Sequence, residues 1–220
     1  MGNCIVIEIK HKEMGAVLHQ VDADSLQGHS LAGAKLPGAD FSGCDLTGVN
    51  FRNADLRRAN FAGAKLQKAS FYEASLGGAI FDRAVATDCD FTEAHLEGAR
   101  AHEADFSRSV FRYAHLDQCD LSGSKLIDAD LSVADLRGNL TKTDLHQADL
   151  RGAKMNGAIL VSADLSKAKL DGANLVGADL SSAHYTPDQF QHARATGVIG
   201  RRVTPETLKK EKRPWWQFWG

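Results

Sequence analysis

The sequence predicts an all-β solenoid, and three regularities support that prediction. A large apolar residue returns every five positions from Leu26 to Leu136 and again from Leu140 to Tyr185, and 29 of these 33 positions hold Leu or Phe. A small residue stands two positions before nearly every large one, and it is Ala in 23 of the 33 cases. Of the 20 glycines, 14 stand two positions after a large residue. Such regular repetition predicts a continuous stack of similar coils.

A period of five residues fits neither regular secondary structure. Five residues turn about 500° on an α-helix, so the large residues would form no stripe. On a continuous strand an odd period would send successive large residues to opposite faces. We therefore expect a turn in each repeat, where glycine tolerates the required backbone angles. The small and large residues then point inward, and the polar residue between them points outward.

The A(D/N)Lxx pattern over residues 24–185 resembles the pentapeptide-repeat family, as in Ala39-Asp40-Phe41 and Ala163-Asp164-Leu165. The resemblance implies a right-handed quadrilateral β-helix with about 20 residues, or four repeats, per coil. The repeats would then make about eight coils and a rod about 40 Å long. Residues one coil apart would stack, forming two aromatic ladders: Phe41, Phe61 and Phe81 on one side, and Phe51, Phe71, Phe91 and Phe111 on the opposite side.

Two irregularities interrupt the repeat. Ala86 and Ala101 replace large residues, and Phe106 follows Ala86 in the same stack, so we expect a narrowed or slightly bent stretch over residues 84–105. Leu136 and Leu140 are only four positions apart. We expect one tightened corner there rather than a domain boundary, because the pattern resumes at once.

The two ends are predicted to cover the core that a solenoid exposes. Residues 4–10 and 16–21 favour two strands, which predicts an N-terminal β-hairpin cap over residues 1–23. Residues 186–220 are predicted to form a C-terminal helical cap and a basic aromatic tail. Thr186 is the expected N-cap of a first helix that ends at Gly197, and a second short helix is expected from Thr204 to Pro214.

Composition and charge exclude several classes of protein. The net charge is -2 overall, with -5 over residues 24–185 and +4 over residues 186–220, so we expect no direct nucleic-acid binding. No apolar run is long enough to span a membrane, and the first residues do not resemble a secretory signal. Four cysteines do not make a disulfide framework. These features favour a cytoplasmic protein.

We predict no catalytic residue, no metal and no cofactor. Cys44, Cys89 and Cys119 occupy the small inward position, where cysteine acts as a small apolar residue. His95, His115 and Asp135 share one outward column and could share a metal ion, but a flat side implies no pocket, so we expect no metal there. The many outward aspartates are expected to keep the rod soluble.

The C-terminal tail contains the candidate partner-binding residues. Aromatic residues and arginine are frequent anchors of protein interfaces. Three alternatives remain open: the tail folds back onto the cap, it docks onto another protein, or it contacts a membrane surface peripherally. The candidate residues are Lys212, Arg213, Trp215, Trp216, Phe218 and Trp219.

The leading functional hypothesis is a non-enzymatic protein–protein interaction scaffold with an unidentified protein partner. The resemblance implies an alternative, since some family members mimic B-form DNA and bind DNA gyrase. This chain departs from a one-sign surface, because five basic residues stand at outward positions. A membrane-surface scaffold that acts through the tail and a homodimer are further alternatives. The basic outward residues are Lys35, Lys65, Arg100, Lys125 and Lys154.

Overall fold

A β-hairpin precedes the repeats. In the computed structural model, which describes residues 6–200, β1 (Val6–Lys10) pairs antiparallel with β2 (Val17–Asp22). Ile9 and Val21 are buried on the inner side of this hairpin. The hairpin also bonds to the first full coil, because the Lys12 amide donates to the Gly38 carbonyl at 2.8 Å. Two strands therefore lie in the region where the sequence predicts them, with the first residues of the predicted strand outside the described range.

The repeats form a stack of coils joined by parallel β-bridges. Residues 20 positions apart pair in this way, for example Asp40 with Asn60 and Ser75 with His95. The bridges fall into four columns, so each coil has four walls, and the chain is a β-helix solenoid. We number the walls by their inward residues: wall 1 (Leu26, Leu46, Leu66 and onward), wall 2 (Leu31, Phe51, Phe71), wall 3 (Leu36, Leu56, Leu76) and wall 4 (Phe41, Phe61, Phe81).

A turn with one left-handed residue separates consecutive walls. From residue 28 to residue 182, the corner residue two positions after each large residue has φ between 53° and 71°, with residue 138 as the exception. Thirteen of these corner residues are Gly and 18 are not. In these turns the amide three residues after the large residue donates to the large residue's carbonyl, as from Ala54 to Phe51 at 3.1 Å, except after Ala86, where the Cys89 amide donates to the Ser109 hydroxyl at 3.0 Å. This is the pattern of a type II turn, which resets the chain direction once per repeat.

Two phenylalanine ladders fill the N-terminal half of the core. Rings one coil apart stack almost parallel, from Phe41 and Phe61 with centroids 5.1 Å apart to Phe91 and Phe111 at 4.6 Å. Rings of opposite walls meet edge to face, as Phe71 meets Phe81 at 6.1 Å. Both arrangements are favourable for aromatic pairs. The predicted ladders are confirmed.

Phe106 on wall 1 continues the aromatic packing where Ala101 interrupts wall 4. Its ring contacts those of Phe81, Phe91 and Phe111 edge to face at centroid distances of 5.5–6.0 Å. The hydrogen bond of the turn that follows Ala101 is long, with 3.4 Å between the Ala104 amide nitrogen and the Ala101 carbonyl oxygen. The ring thus occupies space that two alanines leave open. A narrowing or bend over residues 84–105 stays a prediction.

The missing residue after Leu136 shifts the register without interrupting the stack. Bridges join residues 20 apart up to His115 with Asp135, then 19 apart in the four bridges from Asp120–Asn139 to Asp135–Lys154, and 20 apart again from Asn139–Ile159. The Gly138 amide donates to the Leu136 carbonyl at 2.9 Å, which closes the corner with one residue fewer. The expected local distortion is therefore present.

The predicted C-terminal helix up to Gly197 is wrong. A single 3-10 turn spans Pro187–Phe190, and the chain then rejoins the coils, since Arg194 bridges Asn174 and Ile199 bridges Asp179. The physical reason lies in the spacing: Phe190 follows Tyr185 by five positions and is buried. The edge of the preceding coil also offers backbone hydrogen bonds that a helix would leave unused. The second predicted helix lies outside the described residues.

Candidate functional site

The six predicted partner-binding residues lie outside residues 6–200. They are Lys212, Arg213, Trp215, Trp216, Phe218 and Trp219. Their role stays a prediction. The candidate sites that the structure describes lie on the walls and corners of the solenoid.

The outward aspartates and asparagines stabilise the turns. Many of them accept a hydrogen bond from the amide two residues later, as Asp45 does from Thr47 at 3.1 Å and Asp130 from Ser132 at 3.1 Å. Hydrogen bonds from the Thr47 hydroxyl and amide lower the pKa of the Asp45 carboxyl. Arg151 likewise lowers the pKa of Asp149 through a side-chain hydrogen bond. These carboxylates therefore have a structural role that the sequence analysis missed, although their position before each large residue was visible.

Ion pairs between neighbouring coils mix the two signs of charge on walls 2 and 4. Arg100 pairs with Asp82 at 2.7 Å on wall 4, and Arg112 pairs with Asp130 at 2.6 Å on wall 2. Exposed pairs of this kind contribute about 0–1 kcal/mol each to stability. Their larger effect is on the surface potential, because basic groups cancel the field of the aspartates beside them.

A shallow groove runs along the corner between walls 2 and 3. It has a volume of about 700 Å³. Acidic and polar groups line it, with the exposed ring of Tyr113 at one end. The lining residues are Asn53, Glu73, Ser75, Glu93, His95, Tyr113 and His115. The flat side that the sequence predicts therefore has a concave edge.

Two histidines and a glutamate come together beside this groove. The rings of His95 and His115 stack with centroids 4.8 Å apart, and Glu97 Oε1 lies 3.2 Å from His95 Nδ1. Asp135, the third member of the predicted column, is instead bound by Arg137 through two hydrogen bonds of 2.7 Å. Glu97 was missed from the sequence, although its position one residue after Leu96 also points outward on wall 3.

Two of the three inward cysteines are fully buried. Cys89 and Cys119 donate weakly from Sγ to the carbonyls of Leu66 and Leu96, each at 2.9 Å. Burial raises the pKa of both thiols to about 12. Cys44 is only half-buried, and burial raises its pKa as well. These positions support the interpretation of the cysteines as small apolar residues of the core.

The C-terminal end of wall 4 carries little charge. Among its described outward residues from Asn139 onward, Asp179 is the one charged side chain. Ile159 is 46% exposed and Ile199 is 58% exposed, and Val161 lies half-buried between polar neighbours. We call the set of Asn139, Thr141, Ile159, Val161, Ser181 and Ile199 the apolar end of wall 4, where Asp179 lies between Ile159 and Ile199 in the same column of bridges. Low charge with exposed branched side chains is typical of the centre of a protein interface.

A second depression lies beside the hairpin turn. It has a volume of about 520 Å³ and is lined by Met14, Leu18 and Pro37 together with Arg57 and Arg58. Met14 is 70% exposed.

Between residues 6 and 200, no helix is long and apolar enough to cross a membrane.

The family model of pentapeptide repeats matches most of the chain. It matches in eight copies over residues 25–63, 69–108, 104–138, 139–157 and 158–184. A search of curated proteins found no match.

Several solved structures are similar to this chain. The chain is 18% identical to QnrB1, a plasmid-mediated fluoroquinolone resistance protein, covering 86% of this chain and 97% of that one with a TM-score of 0.50. It is 27% identical to HetL, a pentapeptide repeat protein involved in heterocyst differentiation regulation from the cyanobacterium Nostoc sp. strain PCC 7120, covering 80% and 87% with a TM-score of 0.48. The QnrB1 likeness shows a shared fold, the right-handed β-helix.

Proposed function

We propose that this chain, which belongs to the pentapeptide-repeat family, is a non-enzymatic scaffold that binds another protein with the apolar end of wall 4 and the aromatic tail. Pentapeptide-repeat proteins are generally scaffold or binding proteins rather than enzymes. The observation that carries the proposal is the low charge and exposed isoleucines at this end of the wall.

A rigid backbone supports binding by the walls. Each coil is hydrogen-bonded to the next on both sides of a bridge, as when Phe51 donates to Ser70 at 2.7 Å and Ser70 donates back to Val49 at 3.0 Å. Outward side chains are thereby held in rows before a partner arrives. Pre-organisation of this kind lowers the entropy lost on binding.

The tail and the apolar end of wall 4 are close in the chain. Ile199 is the last bridged residue of wall 4, and Lys212, the first candidate residue of the tail, follows it by 13 positions in the chain. Trp and Arg anchors supply much of the binding energy of many interfaces, while a low-charge surface around them excludes water. The two features together suit one extended protein interface.

The charges of the walls support the DNA-mimic alternative less well than they support the scaffold. Arg100 pairs with Asp82 on wall 4, and Arg151 pairs with Asp149 on wall 2, so neither wall presents a row of acids alone. A DNA-like surface requires a field of one sign. A gyrase supercoiling assay with added protein decides between the alternatives, since inhibition or protection of gyrase would support the mimic.

The experiment that tests the proposal is affinity capture with matched variants. The full chain is compared with a chain that ends at residue 208, with Ile159→Lys/Ile199→Lys, and with Val85→Lys as a control at a 37% exposed position on wall 1. We expect one reproducible partner that the first two variants lose and the control keeps. Purified partner is then titrated against each variant to measure Kd.

Two outcomes would contradict the proposal. Equal capture by the full chain, the truncated chain and the isoleucine variant would remove both surfaces from the interface. Co-sedimentation of the full chain with anionic liposomes, lost on Trp215→Ala, Trp216→Ala and Trp219→Ala, would instead favour the membrane alternative.

A further inference from the structure

We infer that His95, Glu97 and His115 form a binding site for a divalent transition-metal ion, with Zn²⁺ as the reference ligand. The donor atoms of these three residues all lie within 4.8 Å of one another. The site lies on wall 3 at the margin of the groove and is independent of the apolar end of wall 4.

The backbone holds the two imidazoles in register. His95 and His115 are bridged directly, and the Leu96 amide donates to the His115 carbonyl at 2.7 Å. The His115 amide donates to the Ala94 carbonyl at 2.9 Å. Because these bonds belong to the coil ladder, the two Cβ atoms stay one strand spacing apart without any contribution from the side chains.

Glu97 supplies a carboxylate at the same place. Its Oε1 is already 3.2 Å from His95 Nδ1, which is close to the separation of about 3.3 Å between two ligands of a tetrahedral zinc ion. The His95 and His115 rings are stacked with an interplanar angle of 16°. Rotation about the side-chain bonds of exposed histidines is inexpensive, so a shared ion can draw their nitrogens together.

The surroundings favour a cation at this position. Glu73 and Glu93 line the adjoining groove and add negative charge beside the two rings. Asp135 is occupied by Arg137 and does not compete as a ligand. Two imidazoles and one carboxylate suit Zn²⁺ or Cu²⁺ better than Mg²⁺ or Ca²⁺, which prefer oxygen ligands alone. The exposure of both histidines leaves further coordination positions open to water.

Direct binding of the metal alone tests this site. The full chain, stripped of metal with a chelator and kept reduced, is titrated with Zn²⁺ by calorimetry beside His95→Gln/His115→Gln, Glu97→Gln and a control, His19→Gln. His19 is an exposed histidine on β2, remote from the groove. We expect the double variant to bind one Zn²⁺ fewer per chain, Glu97→Gln to bind about tenfold more weakly or worse, and the control to match the unchanged chain.

Electron paramagnetic resonance with Cu²⁺ gives a second measurement. Two imidazole ligands should give nitrogen hyperfine structure in the unchanged chain and in His19→Gln, and the double variant should lose it. An absence of saturable binding, or stoichiometry and spectra that the double variant leaves unchanged, would overturn the inference.

Discussion

Gly138 lies so close to the backbone of Cys119 that no side chain fits between them. A Cβ at Gly138 would clash with the Cys119 carbonyl oxygen and lie 3.0 Å from the Cys119 amide nitrogen. Asn139 donates to that same carbonyl at 2.9 Å, so Cys119 cannot move away without loss of a bond between coils. The shortened corner after Leu136 therefore depends on the absence of a side chain, not on a left-handed backbone angle.

Gly138→Ala is expected to destabilise the solenoid by about 1–3 kcal/mol through overpacking against the backbone. Gly98→Ala is the matched control, because nothing lies within 4 Å of its Cβ position and its φ is 65°. The control should lose about 1 kcal/mol from the left-handed angle alone, the lower end of the usual cost for an L-residue. Chemical denaturation followed by circular dichroism measures both. A larger loss for Gly98→Ala would contradict the role of the Cys119 contact.

Stability is expected to fall in acid. Hydrogen bonds lower the pKa values of Asp45, Asp55 and Asp149 in the folded chain. A carboxyl group whose pKa is lower in the folded chain than in the unfolded chain stabilises the fold at pH values above its unfolded pKa of about 3.9. That stabilisation is lost as the pH falls through the folded pKa. Thermal melts from pH 7 to pH 2.5 should show a Tm that declines below about pH 4. Asp149→Asn should make the decline of Tm smaller. A Tm of the unchanged chain that does not vary with pH would contradict the expected loss of stability in acid.

Two buried serines are expected to respond in opposite directions to replacement by alanine. The Ser109 hydroxyl donates to the Ala86 carbonyl at 2.7 Å and accepts from the Cys89 amide at 3.0 Å. Ser109→Ala should cost about 1 kcal/mol. The Ser124 hydroxyl has no hydrogen-bond partner among the described residues, so Ser124→Ala should be neutral or stabilising. Equilibrium unfolding compares the two variants, and a larger loss for Ser124→Ala would be the contrary result.

Thiol labelling should follow burial. The thiolate is the reactive form, and burial raises the pKa of Cys89 and Cys119 to about 12. Among the three cysteines of residues 6–200, half-buried Cys44 should therefore react first with iodoacetamide at pH 8 in the native chain. Peptide mapping by mass spectrometry assigns each label. Equal rates for the three cysteines in the folded state, without denaturant, would contradict the burial of the inward column.

Phe106→Ala is expected to destabilise the protein by about 3–5 kcal/mol, because the ring is buried against Phe81, Phe91 and Phe111, and Ala86, one coil earlier in the same stack, is too small to fill the space. Phe106→Leu, which keeps most of the volume, should cost clearly less. Denaturant melts of the two variants make the comparison. A Phe106→Ala variant as stable as Phe106→Leu would show that the site collapses freely.

The sequence predicts the solenoid well because nearly every repeat places a small and a large apolar residue at the same two positions. Ala39, Phe41 and the residues that follow them in each coil must be inward, since no other path of the chain buries all of them. The spacing of 20 residues between stacked phenylalanines then follows from four repeats per coil, and the ring contacts agree with it.

The sequence is a weaker guide where local signals compete with the edge of the stack. Thr186 and Pro187 indicate a helix start, and the Thr186 amide does donate to Gln189 Oε1 at 2.7 Å. Yet the Gln189 side chain donates to the Leu165 and Ala168 carbonyls of the preceding coil at 2.6 and 2.8 Å, and one turn later the chain rejoins that coil. Unpaired backbone groups on an existing coil outweigh the preference of a short segment for helix.

The amino-acid order by itself thus determined the turn in each repeat, the inward positions and the place of the register shift, because these depend only on which side chains must leave water, and the four-walled coil followed from the family resemblance. The tertiary structure alone decided that Arg137 forms an ion pair with Asp135 while Glu97 contacts His95, and that Gly138 packs against the backbone of Cys119. Such pairings depend on distances of a few ångströms between residues on neighbouring coils, and a one-dimensional repeat specifies only which wall each residue belongs to.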